Sequence, residues 1–113
     1  MHEMSVAQSM VDIILGELKK QDGKRLTKVR VNIGKMSGVV PEALSFCFAL
    51  ITEGTELEGS ELVMDIIPLS GLCLTCQSKF DMDRIVAICP RCGSRKVSII
   101  GGRELTVVEL EVE

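Results

Sequence analysis

Two Cys-x-x-Cys pairs, Cys73-Leu-Thr-Cys76 and Cys89-Pro-Arg-Cys92, constrain this chain more than any other feature of its sequence. Two residues between cysteines let both thiolates of a tight turn approach one ion while backbone N–H groups point at the sulfurs. Two such turns facing each other close a tetrahedral shell of four sulfurs, with Zn–S bonds near ~2.3 Å. Soft thiolates in that geometry select zinc or iron, and zinc is the usual occupant of a closed structural site. The segment that carries them, 71–101, is about thirty residues long; below ~40 residues a metal or disulfides usually supply the stability that a small apolar core lacks. It is read as a zinc-ribbon-like insertion, with Ser78–Ile88 and Ser94–Ile100 as its hairpin strands and Cys73, Cys76, Cys89 and Cys92 as the zinc ligands.

Three other uses of the cysteines weigh less. A disulfide framework suits an oxidising compartment, but the amino terminus Met-His-Glu-Met-Ser has no basic-then-apolar leader pattern, so the cytoplasm is expected. A redox dithiol needs one pair and leaves the second unexplained. A rubredoxin-like iron site expects packed aromatics, and Phe46, Phe48 and Phe80 are the only aromatics in 113 residues. A closed shell leaves no open position for a catalytic water, so no enzyme is read here. The fifth cysteine, Cys47, reads as a small buried hydrophobe.

Charge narrows the partners. Lys and Arg number 13 against 16 Asp and Glu, a net charge of −3. An acidic chain almost without stacking residues is a poor nucleic-acid binder, and no apolar run approaches the ~20 residues that span a bilayer. The cysteine-bearing segment is locally basic, with Lys79, Arg84, Arg91, Arg95 and Lys96 against Asp81 and Asp83.

Around that insertion the periodicities describe a second body. Ala7, Met10, Val11, Ile14, Leu15 and Leu18 mark one face of a helix over 4–20, with Ser5 and Gln8 as a capping box. Val29, Val31 and Ile33 alternate along a strand over 26–34. Pro41 opens a second helix whose buried face is Val40, Leu44, Cys47, Phe48 and Ile51. Strands follow over 61–67 and 104–112, the latter bulged at Val107–Val108. Strand, helix, strand over 26–67 predicts a crossover with parallel pairing. The expected fold is α+β: a small mixed three-stranded sheet with two helices over 1–70 and 102–113, plus the zinc-binding insertion 71–101.

His2, the only histidine, ordinarily reads as a mobile surface side chain. Its position adds a second reading. Met1 is expected to persist, because its removal needs a small second residue. The Met1 α-amine, the His2 amide and imidazole, and the Glu3 amide then lie within one short segment. Nitrogen donors arranged in a plane suit Ni(II) or Cu(II).

Met1-His2-Glu3-Met4-Ser5, the amphipathic helix, Ile33-Gly34-Lys35-Met36-Ser37-Gly38, Pro41-Glu42-Ala43-Leu44 and the two cysteine pairs together closely resemble the HypA/HybF hydrogenase nickel-incorporation family. The resemblance covers the whole chain. It implies a nickel metallochaperone: Ni(II) held by His2 with the Met1 amine and the Glu3 backbone, and structural Zn(II) on Cys73, Cys76, Cys89 and Cys92. It further implies work with a HypB-type GTPase, delivery of nickel to the large subunit of [NiFe]-hydrogenase, and, as for some members, exchange with urease maturation proteins. This chain departs from relatives with a histidine beside a cysteine knuckle, having Gln77 and Gly93 after Cys76 and Cys92. The alternatives from other classes are a zinc-ribbon interaction module without metal trafficking and a Cys-x-x-Cys redox protein.

Overall fold

The computed structural model describes residues 2–83 and 87–113. In chain order the elements are α1 (Glu3–Leu18), β1 (Leu26–Gly34), α2 (Pro41–Thr52), β2 (Glu61–Ile67), β3 (Ser70–Cys73), β4 (Lys79–Asp81), β5 (Val97–Gly101) and β6 (Leu105–Val112). The strands form two three-stranded sheets, ordered β2-β1-β6 and β4-β3-β5, so the fold is α+β.

Contacts divide the chain into two compact units: Met1–Asn32, Gly38–Asp65 and Thr106–Glu113 in the first, Ile33–Ser37 and Ile66–Leu105 in the second. The second unit is wider than 71–101. It takes in the turn after β1, because that turn is stitched to the ends of the insertion: Gly34 N–H donates to Glu104 O at 2.6 Å, Lys35 N–H to Ile67 O at 2.8 Å, and Met36 N–H to Gly102 O at 2.7 Å.

In the first unit the helical and strand periodicities hold. Val6, Ala7, Met10, Val11 and Ile14 of α1, Leu44 and Phe48 of α2, and Val29 and Val31 of β1 are buried. α1 and α2 pack against each other. The sheet is mixed, as predicted. Lys28 reaches Glu61 and Arg30 reaches Asp65, so β1 and β2 ascend together, which is the pairing a strand–helix–strand crossover produces. Arg25 and Glu113 exchange both backbone bonds at 3.0 Å, the reciprocal pattern of an antiparallel β1–β6 pair.

Four expectations are corrected. α1 begins at Glu3 rather than at 4, with His2 as its N-cap, so Ser5 lies inside the helix; Gln8 instead bonds Asp12 at 3.1 Å, one turn on. Val40 is the N-cap of α2 and points outward, leaving the buried face to Leu44, Phe48 and Thr52, with Cys47 and Ile51 half-buried. In β6 the alternation slips at Val108 and Glu109, both exposed, one residue later than expected. In the insertion the strands do not form one long hairpin: β4 and β5 both pair antiparallel with β3, a strand too short for its periodicity to be visible. Arg84, Ile85 and Val86, which the expected strand 78–88 included, lie outside the described residues.

Candidate metal centre

Each cysteine pair folds into the same knuckle. Cys73 N–H donates to Ser78 O and Cys89 N–H to Ser94 O, both at 2.9 Å. Gln77 N–H donates to Cys73 O and Gly93 N–H to Cys89 O, again at 2.9 Å. The residue after each second cysteine takes a left-handed turn, Gln77 with φ 66° and Gly93 with φ 76°. Glycine adopts that conformation without steric cost and glutamine rarely does. The turn aims backbone amides at the first sulfur of each pair: Cys76 N–H at Cys73 Sγ, Cys92 N–H at Cys89 Sγ and Arg91 N–H at Cys89 Sγ, each 3.4 Å.

The two knuckles face each other. Cys73 Sγ lies 3.6 Å from Cys92 Sγ, and Cys76 Sγ lies 3.6 Å from Cys89 Sγ. All four sulfurs fall within 4.8 Å of one another. A tetrahedral shell of ~2.3 Å bonds has edges of about 3.8 Å, so the sulfurs already stand near zinc spacing. Thr75 and Ser94 join the knuckles through their hydroxyls at 2.8 Å. Cys73 and Cys89 are buried, Cys76 is half-buried and Cys92 is exposed.

The donor set also fits a dication electrostatically. The Cys76 amide, with help from the Thr75 amide, lowers the Cys73 thiol to about 6. The Ser78 hydroxyl, 3.2 Å from Cys76 Sγ, and the Ser78 amide lower the Cys76 thiol. At Cys92 the Ser94 amide pulls downward, but desolvation and the three neighbouring sulfurs outweigh it and push the thiol up to about 12. Four sulfurs this close cannot all be anions alone; a bound cation removes that conflict.

Residues that the cysteine spacing alone did not single out are Ser78 and Ser94. Each stands two places after the second cysteine, so the knuckles repeat as Cys-x-x-Cys-x-Ser. That repeat was the available signal.

The amino-terminal residues belong to the first unit. Met1 lies outside the described residues. His2 is exposed and extended, with φ −80° and ψ 121°, and its side chain makes no capping bond. The helical ladder begins with Val6 N–H donating to His2 O at 3.1 Å. The His2 and Glu3 amides therefore precede it, as the first N–H groups of any helix do. Glu3, in the first turn of α1, is half-buried, and its Oε2 accepts the Val40 N–H at 3.1 Å. That bond, then the Glu3 amide itself, holds the carboxyl below its ordinary value. Sequence patterning had no means of pairing Glu3 with a backbone amide thirty-seven residues away.

The family described as hydrogenase/urease nickel incorporation, metallochaperone, HypA, matches residues 1–112. Proteins named hydrogenase maturation factor HypA from Geobacter sulfurreducens and Geotalea uraniireducens are 44% and 42% identical over 113 residues, covering 100% of both chains in each case. The solution structure of the Ni metallochaperone HypA from Helicobacter pylori aligns with a TM-score of 0.67 at 25% identity, covering 98% of this chain and 97% of that one. A solution structure of a HypA protein aligns with a TM-score of 0.77 at 24% identity, a likeness of fold, covering 100% of this chain and 97% of that one.

Proposed function

The chain belongs to the HypA family of nickel-incorporation metallochaperones for hydrogenase maturation, and from that premise we propose how its own residues carry the metal. His2, through its imidazole and amide, holds Ni(II) together with the Met1 α-amine and the Glu3 backbone amide. Cys73, Cys76, Cys89 and Cys92 hold a structural Zn(II), which supplies the folding stability that residues 71–101 lack. The observation that carries the nickel reading is the start of α1 at Glu3: it leaves two consecutive amide nitrogens and an exposed imidazole ahead of the helical ladder.

A metallochaperone must hold its cargo and yet surrender it. A terminus outside the helix releases nickel one nitrogen at a time, which a buried four-ligand cage does not permit. The Glu3–Val40 bond anchors the root of that terminus while leaving its tip accessible. Delivery is to the large subunit of [NiFe]-hydrogenase with a HypB-type GTPase as co-worker, in the cytoplasm, and urease maturation proteins are a further destination. The role is transfer of a metal rather than catalysis. Among the described residues no helix is long and apolar enough to cross a membrane.

The test is metal analysis of the protein with Met1 as its first residue, before and after nickel addition. One zinc per chain before, and one additional nickel that His2→Gln removes, is the expected result. Nickel uptake that survives His2→Gln while Cys92→Ser abolishes it overturns the assignment.

A further inference from the structure

Helix α2 is apolar on both sides. Leu44, Phe48 and Thr52 form its buried face. On the opposite side Phe46 is 69% exposed and Leu50, one turn on, 49%. Within Pro41–Thr52 only Glu42 is charged. A surface helix normally turns charged residues to water, and a helix apolar all round is one that something covers. Single exposed apolar residues need no explanation; an exposed Phe and Leu forming an i,i+4 ridge do, for that is the surface a second helix packs against.

The charges around this ridge say what covers it. From Met36 to Ser78 the chain contains no Lys or Arg, while Glu42, Glu53, Glu56, Glu58, Glu61 and Asp65 all fall there. Glu61 and Asp65 are matched by Lys28 and Arg30. Among the described residues the other four are in no ion pair. A groove of about 380 Å³ runs beside the ridge, with Ser45, Ala49 and Glu53 on its α2 wall and Glu58, Ser60 and Leu62 opposite. Residues 45, 49 and 53 form the helical stripe adjoining Phe46 and Leu50, so the acidic groove and the apolar ridge are contiguous.

We propose that the outer face of α2 is a docking site for a basic amphipathic helix of another protein. Aliphatic side chains of that helix cover Phe46 and Leu50, and its Lys or Arg side chains reach Glu53 and Glu58 in the groove and Glu42 near the other end. A second copy of this chain does not supply such a helix: α1 carries Glu3, Asp12 and Glu17 with no basic residue, and α2 has Glu42 alone. An anionic membrane is repelled by the same carboxylates. The ridge lies about 9 Å along the helix axis from Val40, the residue tied to Glu3, so a docked partner sits close to the amino-terminal segment. The inference does not depend on nickel binding; it is read by association alone.

The probe is a labelled synthetic helix of about 18 residues, with leucines along one face and lysines flanking them, titrated against the zinc-loaded full chain by fluorescence anisotropy. Binding is expected, weakened about tenfold by Phe46→Ser, retained within a few-fold by Phe46→Leu, and unaffected by His2→Gln. Raising salt from about 50 to about 300 mM weakens it several-fold. The same peptide with glutamates for lysines binds at least about tenfold more weakly. Both ridge residues are exposed, so helical signal and zinc content remain those of the parent. Equal binding of the acidic peptide, or unchanged affinity in Phe46→Ser, overturns the proposal. So does a concentration-dependent dimer in sedimentation that Phe46→Ser abolishes, since a second copy then occupies the ridge.

Discussion

The Glu3 carboxylate accepts the Val40 backbone N–H at 3.1 Å, joining the first residue of α1 to the residue that caps α2. No side chain of Val40 can cap, so an acid from the other helix adds a hydrogen bond at the N-cap amide of α2. Glu3 also places negative charge at the positive end of its own helix.

Removing that acceptor should loosen the amino-terminal segment proposed to hold nickel, without touching the four-cysteine centre. Glu3→Ala is expected to weaken nickel binding more than Glu3→Gln, which keeps an oxygen acceptor, with zinc content unchanged in both. The Val40 amide, then the Glu3 amide, hold the carboxyl below its ordinary value in the folded chain, so its stabilisation is complete at neutral pH and is lost as acid protonates it in the folded state. The melting difference between the parent and Glu3→Ala should therefore shrink as the solution is made acid enough to protonate Glu3 in the folded chain. A difference that grows in acid contradicts the bond.

Zinc binding and the folding of the second unit should be coupled. Cys76→Ser or Cys92→Ser is expected to lose the zinc and the ordered structure of 71–101, because metal-binding free energy in so small a module is folding free energy. Helical circular dichroism, which reports α1 and α2, should largely persist. One zinc per chain retained in either variant refutes the four-sulfur site.

Zinc uptake should also displace protons at pH 7. The Cys73 thiol, lowered to about 6, is already ionised there, whereas Cys92, pushed up to about 12, is not. At least one proton per zinc is expected in a lightly buffered titration, with more displaced and affinity lower as pH falls. Uptake without proton release would mean that Cys92 is not a ligand.

Glycines at two places should respond to alanine with opposite signs. A Cβ on Gly34 collides with the Gly102 carbonyl and the Arg103 backbone, where the turn after β1 is bonded to the segment leading into β6. Backbone cannot move aside as a side chain can, so Gly34→Ala should cost about 1–3 kcal/mol, a fall of about 5–15 °C in Tm. Gly16, inside α1, meets nothing within 4 Å. Gly16→Ala should gain about 0.5–1 kcal/mol from helix propensity. Matched thermal melts decide both.

That pair of glycines shows where the sequence could be read and where it could not. Local, repetitive physics was legible: the 3.6-residue face of α1, the alternation of Val29, Val31 and Ile33, Pro41 at the start of α2, and the spacing that brings four sulfurs together. Long-range bonds were not. Glu3 captures α1's first turn through Val40, so the helix starts ahead of the Ser5 capping pattern. Gly34 is required by Gly102, sixty-eight residues on, and nothing near it in sequence says so. β3, only Ser70–Cys73, has too few residues for periodicity; its partners β4 and β5 define it.

Nickel binding should depend on the chain end itself. One residue added ahead of Met1, or acetylation of its nitrogen, should weaken nickel binding about as severely as His2→Gln. An extension moves the free amine out of the small chelate rings that the proposed site would form with the His2 nitrogens, and acetylation removes its basic lone pair. Either change leaves an exposed imidazole without its neighbour, and Ni(II), which favours planar nitrogen donors, would then lack one. Zinc content and Tm should hold, because the buried positions begin at Val6 and the four sulfurs lie far along the chain. Isothermal titration with untagged, extended and acetylated proteins separates the possibilities. If an extension that contributes no ligand of its own leaves nickel affinity intact, the amine is not a donor, and the imidazole must find its other ligands on a second chain or on a partner protein.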